Sequence, residues 1–416
     1  MIPLIRRLAL LLLILGFLAA LTWAFYTFIT VKYPGANDFY QRWRGARAFW
    51  VEGRDPYGQD VSRQVEIDLY GHPYDPDPAL DEYPGDFLYP FHAAVLLAPL
   101  AVLPFALASA IWFTLTASAI GLAFVVSADL FNWRLPFWLL LGGIIWSITF
   151  YPSVRGIFLG QPGTLVVCLE IVTLWALAKK HDTLAGVVLA VSTIKPQLGV
   201  LVIPFLLLWS VRFARWRFLR SFAFTLAMLL GASFLLLPSW LTEWLTQATQ
   251  YSGYTRIGSP IWVITSYYFP FLGPVVETLL TLALLGLVLW AWVRVLWRRD
   301  MTWFDWTTAL TITVTQLILV RTATPHFVVF ILVIVFYLRV LYRSTPNGKW
   351  LAVGAMIVSN VAYWWLFLAT LVGKFESPAV YLPLPIGALL LLLLTQRRWQ
   401  QLSPLIKTQS VSGASA

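Results

Sequence analysis

The sequence predicts an all-α polytopic membrane protein, and composition and hydropathy are the two observations behind this prediction. Hydrophobic residues make up 59% of the 416 residues and charged residues only 12%, whereas an average soluble domain carries roughly a quarter charged residues. The mean hydropathy is +0.75. The first apolar run, residues 8–28, is long enough to cross a bilayer core, which needs about 20 residues. It is also longer than the ~7–15 apolar residues of a secretory signal peptide, so we expect a retained span.

Further apolar runs follow along the whole chain. With the first run, the candidate membrane segments are residues 8–29, 87–103, 105–126, 136–151, 164–178, 184–194, 198–210, 218–237, 275–296, 303–320, 324–341, 351–372 and 382–395. Basic residues cluster in short turns between these segments, as is typical of cytoplasmic turns. We therefore predict that both termini and the basic turns lie inside. The net charge of +10 then reflects membrane topology rather than nucleic-acid binding.

The segment between Lys180 and Arg212 decides the topology of the upstream half. Both residues lie on the inner side only if residues 184–210 enter the membrane and return as two short helices. The tip of this hairpin would be STIKPQ, residues 192–197, because proline removes a helix hydrogen bond and pushes the preceding residue out of helical geometry. Residues 87–103 then form a partial or re-entrant element. The alternative is one kinked span over residues 184–210, with some upstream turns inverted.

We predict a single transmembrane domain over residues 1–416, with two polar segments on the outer face. The first outer loop, residues 31–86, contains 11 of the 19 acidic residues. The second outer loop, residues 238–273, is rich in tyrosine, serine, threonine and glycine. The polar residues 407–416 are expected to be a disordered tail, because they carry too little apolar surface to fold.

The first outer loop contains NDFYQRWRGARAFWVEG, residues 37–53, which has the pattern of an amphipathic juxtamembrane helix. Apolar residues recur at three- to four-residue spacing, as in Phe39, Trp43 and Ala46, and arginines follow the other side. A helix so rich in aromatics and arginines is expected to lie in the plane of the membrane interface. Gly53 is expected to end it.

Asp38 is the candidate catalytic residue of this helix. Asn37 is a good N-cap, so Asp38 falls in the first turn, where the helix dipole favours an ionised carboxylate. A carboxylate at the membrane surface is able to accept a proton from a sugar hydroxyl. The alternative is a structural role, in which Asp38 caps the helix or pairs with Arg42 four residues later.

Several short motifs follow one another in a defined order. They are RDPY and YGQD in the first outer loop, YPFHAAVLLAPLAVLP at residues 89–104, GQPGTLVV at 160–167 and AGVVLAVSTIKPQ at 185–197. Together with an acid shortly after the first span, they resemble glycosyltransferase family 87 over residues 8–210, and the C-terminal half is similar only in hydropathy. The resemblance implies a GT-C-type helix bundle that uses a polyprenyl-phosphate sugar, typically mannose. It also implies that Asp38, which matches the acid of the family's first outer loop, is the catalytic base.

Three cationic residues are candidates for binding the donor phosphate. Lys195 lies alone at a helix break between two apolar helices, and an ionisable residue within a span is by default a functional-site hypothesis. The resemblance implies that this lysine meets the lipid phosphate, and the alternative is a lysine that snorkels to the surface. Arg321 and His326 bracket a proline break in VRTATPHF and are able to hold a phosphate. Otherwise they are ordinary loop residues.

Four further residues are predicted to contact the sugar or the acceptor, namely Gln161, Arg42, Tyr57 and Tyr89. Gln161 lies at the outer end of an apolar segment, where it suits either sugar hydroxyls or the capping of a helix. Arg42 is explained equally well by anchoring to lipid headgroups.

No metal site and no cofactor other than the lipid-linked substrate are predicted. The sequence has no GxxxxGK[ST] phosphate loop and no GxGxxG fingerprint. The four histidines are scattered without ligand spacing. The single cysteine, Cys168, excludes an intrachain disulfide and a cysteine-only zinc site.

We therefore predict an inverting membrane glycosyltransferase in the plasma (cytoplasmic) membrane, with its active site on the outer face. It would move a sugar, mannose by the resemblance, from polyprenyl phosphate to a lipid or glycan acceptor. The competing prediction is a transporter or flippase of a lipid-linked glycan, although the duplicated halves common in transporters are not seen. A third reading is a non-catalytic assembly subunit that binds lipid phosphate and tolerates loss of Asp38.

Overall fold

The computed structural model of the chain describes residues 2–33, 35–77, 80, 82–254, 258–320, 322–373 and 376–402. These residues form helices and connecting loops and contain no β-strand, which confirms the predicted all-α class. The α-helices are α1 (Ile2–Phe25), α2 (Asn37–Glu52), α3 (Gln59–Tyr70), α4 (His92–Ala101), α5 (Phe105–Leu130), α6 (Phe137–Thr149), α7 (Tyr151–Leu159), α8 (Pro162–Ala178), α9 (Asp182–Ser192), α10 (Val202–Arg212), α11 (Trp216–Leu236), α12 (Trp240–Tyr254), α13 (Pro260–Trp262), α14 (Gly273–Leu296), α15 (Phe304–Ile318), α16 (Ile331–Ser344), α17 (Gly348–Thr370), α18 (Pro383–Leu394) and α19 (Gln396–Leu402). Short 3₁₀ or π turns cover Tyr26–Thr30, Pro196–Gly199, Val263–Tyr268, Met301–Trp303, Thr324–Phe330 and Pro378–Tyr381. The predicted tail, residues 407–416, lies outside the described residues.

The described residues contain six helical stretches long and apolar enough to cross a membrane. They are Leu8–Thr30, Phe105–Leu130, Trp216–Leu236, Gly273–Leu296, Thr324–Ser344 and Gly348–Thr370. A seventh span results if α6 and α7, which are bent by 58° at Phe150, are taken together. The other predicted membrane segments are shorter helices. The ten residues of α4, for example, rise only about 15 Å, which agrees with the partial element expected there.

The chain divides into two compact units. The first unit comprises residues 1–118, 156–162 and 232–251, and the second comprises residues 119–155, 163–231 and 252–416.

In the first unit, helix α2 has the predicted apolar face, but this face is covered by protein. The ring of Phe39 stacks on Trp112 with centroids 4.5 Å apart, and the Trp43 indole donates a hydrogen bond to the Leu100 carbonyl at 3.0 Å. Phe39 and Ala46 are fully buried. The aromatics of α2 therefore dock it onto α4 and α5, whereas the sequence predicted that they anchor it in the membrane interface.

The ends of α2 agree with the sequence prediction in part. Gly53 follows the helix with φ +67°, a left-handed conformation that suits glycine, and Asp38 lies in the first turn, both as predicted. The predicted Asn37 cap is wrong. Ala36 precedes the helix, has φ +53°, and makes no side-chain capping bond. Its N–H donates instead to the Phe158 carbonyl at 2.9 Å, and this contact fixes where the helix starts.

In the second unit, α9 and α10 form the predicted hairpin. The Arg215 guanidinium donates to the Asp182 carboxylate at 2.9 Å and to the Leu177 carbonyl at 3.2 Å. Asp182 begins α9 and Arg215 follows α10, so the two ends of this segment meet. A single kinked span would separate them, and that alternative is therefore wrong. Lys195 lies at the tip, where α9 has ended and the 3₁₀ turn Pro196–Gly199 begins.

Candidate active site

In the described structure, one of the two oxygens of the Asp38 carboxylate accepts a hydrogen bond. The Gln161 amide nitrogen Nε2 donates to Asp38 Oδ2 at 2.8 Å. Among the described residues, no hydrogen bond reaches Oδ1, and the side chain is half-buried. Arg42 donates to the backbone carbonyl of Asp38 at 3.1 Å, and within the described part of the chain the two side chains form no ion pair. The carboxylate thus keeps an oxygen able to accept a proton.

Gln161 is itself oriented by Tyr89. The Tyr89 hydroxyl donates to Gln161 Oε1 at 3.2 Å. An amide oxygen only accepts and an amide nitrogen only donates, so this contact turns Nε2 towards Asp38. The structure thus shows a role for Gln161 that differs from the two considered from the sequence, because its side chain binds the candidate base. Its contact with sugar hydroxyls stays a prediction.

The glycine before Gln161 explains how the glutamine reaches α2. Gly160 has φ +63°, and a Cβ there would lie 2.7 Å from Phe39 Cβ and 2.9 Å from Ala36 Cβ. The Trp112 indole donates to the Gly160 carbonyl at 2.8 Å. A residue with a side chain would push the loop away from α2 and take Gln161 with it.

Arg42 and the two tyrosines support this arrangement. The Arg42 guanidinium lies 4.6 Å from the centre of the Tyr89 ring. The Tyr57 hydroxyl donates to the Tyr89 carbonyl at 2.6 Å. Burial raises the pKa of both Tyr57 and Tyr89, so that both hydroxyls stay protonated donors. The Tyr57 hydroxyl therefore supports Tyr89, and its contact with the sugar stays a prediction.

Gln247 is a residue of this region that the sequence analysis missed. It lies on α12, within the segment predicted to be the second outer loop, and its side chain accepts from the Leu88 N–H at 3.1 Å and donates to the Tyr57 carbonyl at 3.2 Å. One amide therefore joins the two segments predicted as outer loops. A glutamine in a polar loop gives no sequence signal for such a contact.

Lys195 and His326 meet in the second unit. Their nitrogens Nζ and Nε2 are 3.0 Å apart, and both side chains are buried. The Ala323 N–H donates to His326 Nδ1 at 3.2 Å. The contact between Nζ and Nε2 is one hydrogen bond in which only one nitrogen donates, so the histidine orients the lysine. The other N–H groups of the lysine are donors of the kind that suit an anion such as phosphate.

Gly163 makes room for this histidine. A Cβ at Gly163 would lie 2.6 Å from both Cδ2 and Nε2 of His326. The motif GQPG therefore contributes Gln161 to the Asp38 contact and Gly163 to the His326 contact, with Pro162 between them as the first residue of α8. The third predicted cation, Arg321, lies outside the described residues. The described residues contain no group of three or more His, Cys, Asp or Glu side chains suited to a metal ion.

The fold defines the class of protein as an all-α polytopic integral membrane protein. A sequence model of glycosyltransferase family 87 matches residues 87–322, which is more than half of the chain. The chain therefore belongs to glycosyltransferase family 87 and is a membrane glycosyltransferase. No curated protein matches the chain, and no solved structure does so.

The matched region differs in extent from the resemblance noted in the sequence. It begins at residue 87 and reaches residue 322, so it includes much of the C-terminal half. Tyr89, Gln161 and Lys195 lie within it. Asp38 and His326 lie outside it, and their roles are argued from the contacts described above.

Proposed function

We propose that the protein transfers a sugar from a polyprenyl-phosphate donor to a hydroxyl of a lipid or glycan acceptor. The proposed sugar is mannose, and the proposed reaction takes place on the outer face of the membrane. The observation that carries this proposal is the Asp38 carboxylate, which is oriented by Gln161 through one oxygen and keeps the other available. An oriented carboxylate is suited to general-base catalysis. The donor class is supported by membership of the family and by the buried Lys195–His326 pair.

The proposed reaction inverts the configuration at the anomeric carbon. Asp38 accepts the proton of the acceptor hydroxyl, and the resulting oxygen nucleophile attacks the anomeric carbon on the face opposite the phosphate. The bond between that carbon and the phosphate oxygen breaks, and polyprenyl phosphate leaves with the electron pair. The products are the glycosylated acceptor, polyprenyl phosphate and a proton on Asp38, which passes to water.

In this proposal Lys195 and His326 bind the phosphate, together with Arg321 as predicted from the sequence. Negative charge grows on the phosphate as its bond to the sugar breaks. Fixed N–H donors in a site shielded from water stabilise such a charge strongly, and removing one donor typically costs about 10²–10³ in rate. The burial of Lys195 and His326 supplies that shielding.

The test is an assay of purified protein in lipid nanodiscs with polyprenyl-phosphate mannose, the corresponding glucose donor and a panel of lipid and glycan acceptors. We expect Asp38→Asn to fold and insert, because asparagine still accepts from Gln161, and to lose at least about 10²-fold in transfer rate. The matched control is Asp68→Asn in the same loop, whose carboxylate accepts from the Tyr40 hydroxyl at 2.6 Å. It should transfer sugar at the wild-type rate.

Two outcomes would contradict the proposal. Wild-type activity in Asp38→Asn would remove Asp38 as the base. Movement of a lipid-linked glycan across proteoliposome membranes, without any transfer of sugar, would favour the flippase alternative.

A further inference from the structure

Glu376, in the loop after α17, is a largely covered carboxylate to which the proposed chemistry assigns no role. Its side chain is 9% exposed. Oε1 accepts hydrogen bonds from the Tyr151 hydroxyl and from Thr324 Oγ1, the latter at 2.8 Å, and Oε2 accepts from the Tyr381 hydroxyl at 3.1 Å. Arg155 forms a long ion pair with it, with Nη2 3.8 Å from Oε2. Two hydroxyls from distant parts of the chain and one from Tyr381, five residues later, therefore hold one carboxylate.

One of these hydroxyls belongs to the turn that carries His326. Thr324 and His326 share the 3₁₀ turn Thr324–Phe330, two residues apart. Besides the Lys195–His326 and Ala323–His326 contacts, the described residues show two other side-chain hydrogen bonds near this turn, and both are longer. Thr164 reaches the Pro325 carbonyl at 3.5 Å, and Thr322 reaches the Gln316 side chain at 3.4 Å. The bond from Thr324 to Glu376 is thus the shortest of the three and the one with a charged acceptor, which is the stronger kind.

We infer that Glu376 is a positioning residue that fixes the His326 turn, and with it the Lys195–His326 pair, through Thr324. Three hydroxyls donate to this carboxylate, and the proposed reaction requires of it neither a contact with substrate nor a proton transfer. Its role rests on the proposed function, in which this pair binds the donor phosphate. A small displacement of a group that stabilises a transition state lowers turnover more than it weakens ground-state binding.

The test replaces Thr324 in two ways. Thr324→Val keeps the shape of a fully buried side chain and removes the hydrogen bond, whereas Thr324→Ser keeps the hydroxyl and removes a methyl group. We expect Thr324→Val to lower kcat about tenfold to a hundredfold with little change in KM for the donor. Thr324→Ser should retain most of the activity. Backbone hydrogen exchange of residues 322–330, followed by mass spectrometry, should accelerate in Thr324→Val only.

The matched control is Thr313→Val on α15. Thr313 is also fully buried in the second unit, and its hydroxyl donates only within its own helix, to the Ala309 carbonyl at 2.8 Å. This variant should leave kcat and the exchange of residues 322–330 unchanged. Glu376→Gln is a second probe of the same contact and should lower kcat less than Thr324→Val, because the amide keeps an oxygen for Thr324 and loses only the charge.

The outcomes separate this inference from the proposed function. Unchanged exchange in Thr324→Val, or equal loss of activity in Thr324→Ser and Thr324→Val, overturns the positioning role even if the wild type transfers sugar. Faster exchange in Thr324→Val, with a wild type that uses no polyprenyl-phosphate sugar, supports the positioning role and contradicts the proposed function.

Discussion

Gln161 is the residue that gives Asp38 a defined orientation. Its two amide atoms have opposite partners, since Oε1 accepts from Tyr89 and Nε2 donates to Asp38. The sequence identified both Asp38 and Gln161 as candidates. It gave no means of predicting that they meet, because 123 positions separate them and only the packed fold brings them together.

Gly163 provides a test of the histidine's position. Gly163→Ala places a methyl group 2.6 Å from the His326 ring, and the two cannot both keep their places. We expect transfer to fall by at least about tenfold, since a displaced donor stabilises the phosphate less well. The assay of transfer described above measures this loss.

Gly142→Ala is the control for that substitution. Gly142 lies within α6, and a Cβ there has no neighbour within 4 Å. Alanine is the better helix former, so this variant should be active and at least as stable as the wild type in a thermal unfolding assay. Equal activity in the two alanine variants would show that His326 tolerates displacement.

The sequence did not identify Glu376 as a residue of interest. It stands in a short polar loop, and nothing in the adjacent residues marks it. Its partners Tyr151, Thr324 and Tyr381 are hydroxyl residues from three separate segments. A largely covered carboxylate with such partners becomes visible only when the tertiary contacts are known.

Among the helices, the amphipathic α2 and the hairpin α9–α10 were both predicted from the sequence. The spacing of apolar residues predicted the apolar face of α2. The positions of lysine and arginine along the chain predicted the hairpin. The N-terminal boundary of α2 was missed because a tertiary contact of Ala36, rather than a capping side chain, sets it. The bend between α6 and α7 was also missed. The sequence signal for this bend was Pro152, because proline is readily accommodated in the first turn of a new helix.

The end of α2 is joined to the start of α3 by charges, and this predicts a dependence on pH. Glu52 pairs with Arg44 at 2.8 Å and Arg54 at 3.0 Å, and Arg54 pairs with Asp60 at 2.8 Å. Partial burial raises the pKa of Glu52, but the hydrogen bonds from Arg44 and Arg54 together outweigh this and lower it from 4.5. The pKa of Asp60 is likewise lowered, chiefly by its hydrogen bond from Arg54.

A carboxylate with a lowered folded-state pKa stabilises the fold above its unfolded pKa, and this contribution is lost as the pH falls through the folded value. We therefore expect residues 53–60 to loosen below about pH 4. Hydrogen exchange of this stretch, corrected for its intrinsic pH dependence, measures the change. Glu52→Gln should weaken the pH dependence, and an unchanged profile in that variant would contradict the assignment.

At the scale of the whole molecule, the sequence predicted the all-α membrane class and the family. Long apolar runs carry the first prediction and ordered short motifs carry the second, and neither needs tertiary contacts. More segments were named as candidate spans than the described residues contain long helices, because apolar runs such as residues 164–178 form shorter helices. Hydropathy records that a segment is apolar and does not distinguish a crossing helix from one buried among its neighbours.

The orientation of the chain is testable with cysteine reporters. Cys168 is only 2% exposed, so the wild-type protein should give a low background with thiol reagents. Gln59 in the first outer loop and Asn347 in the turn before α17 are both exposed. In intact cells or sealed vesicles, a membrane-impermeant maleimide should label Gln59→Cys from outside and should label Asn347→Cys only after permeabilisation. The reverse pattern would invert the proposed topology.

The α9–α10 hairpin is too short to carry Lys195 through a bilayer. Each arm has 11 residues and rises about 16 Å, whereas the hydrocarbon core is about 30 Å thick. With the base of the hairpin at the inner surface, the ammonium group stops near the midplane. A charge at that depth requires hydration or a counter-ion. In the proposed reaction the donor phosphate is this counter-ion, so the donor's headgroup has to descend by about half the core thickness to reach Lys195.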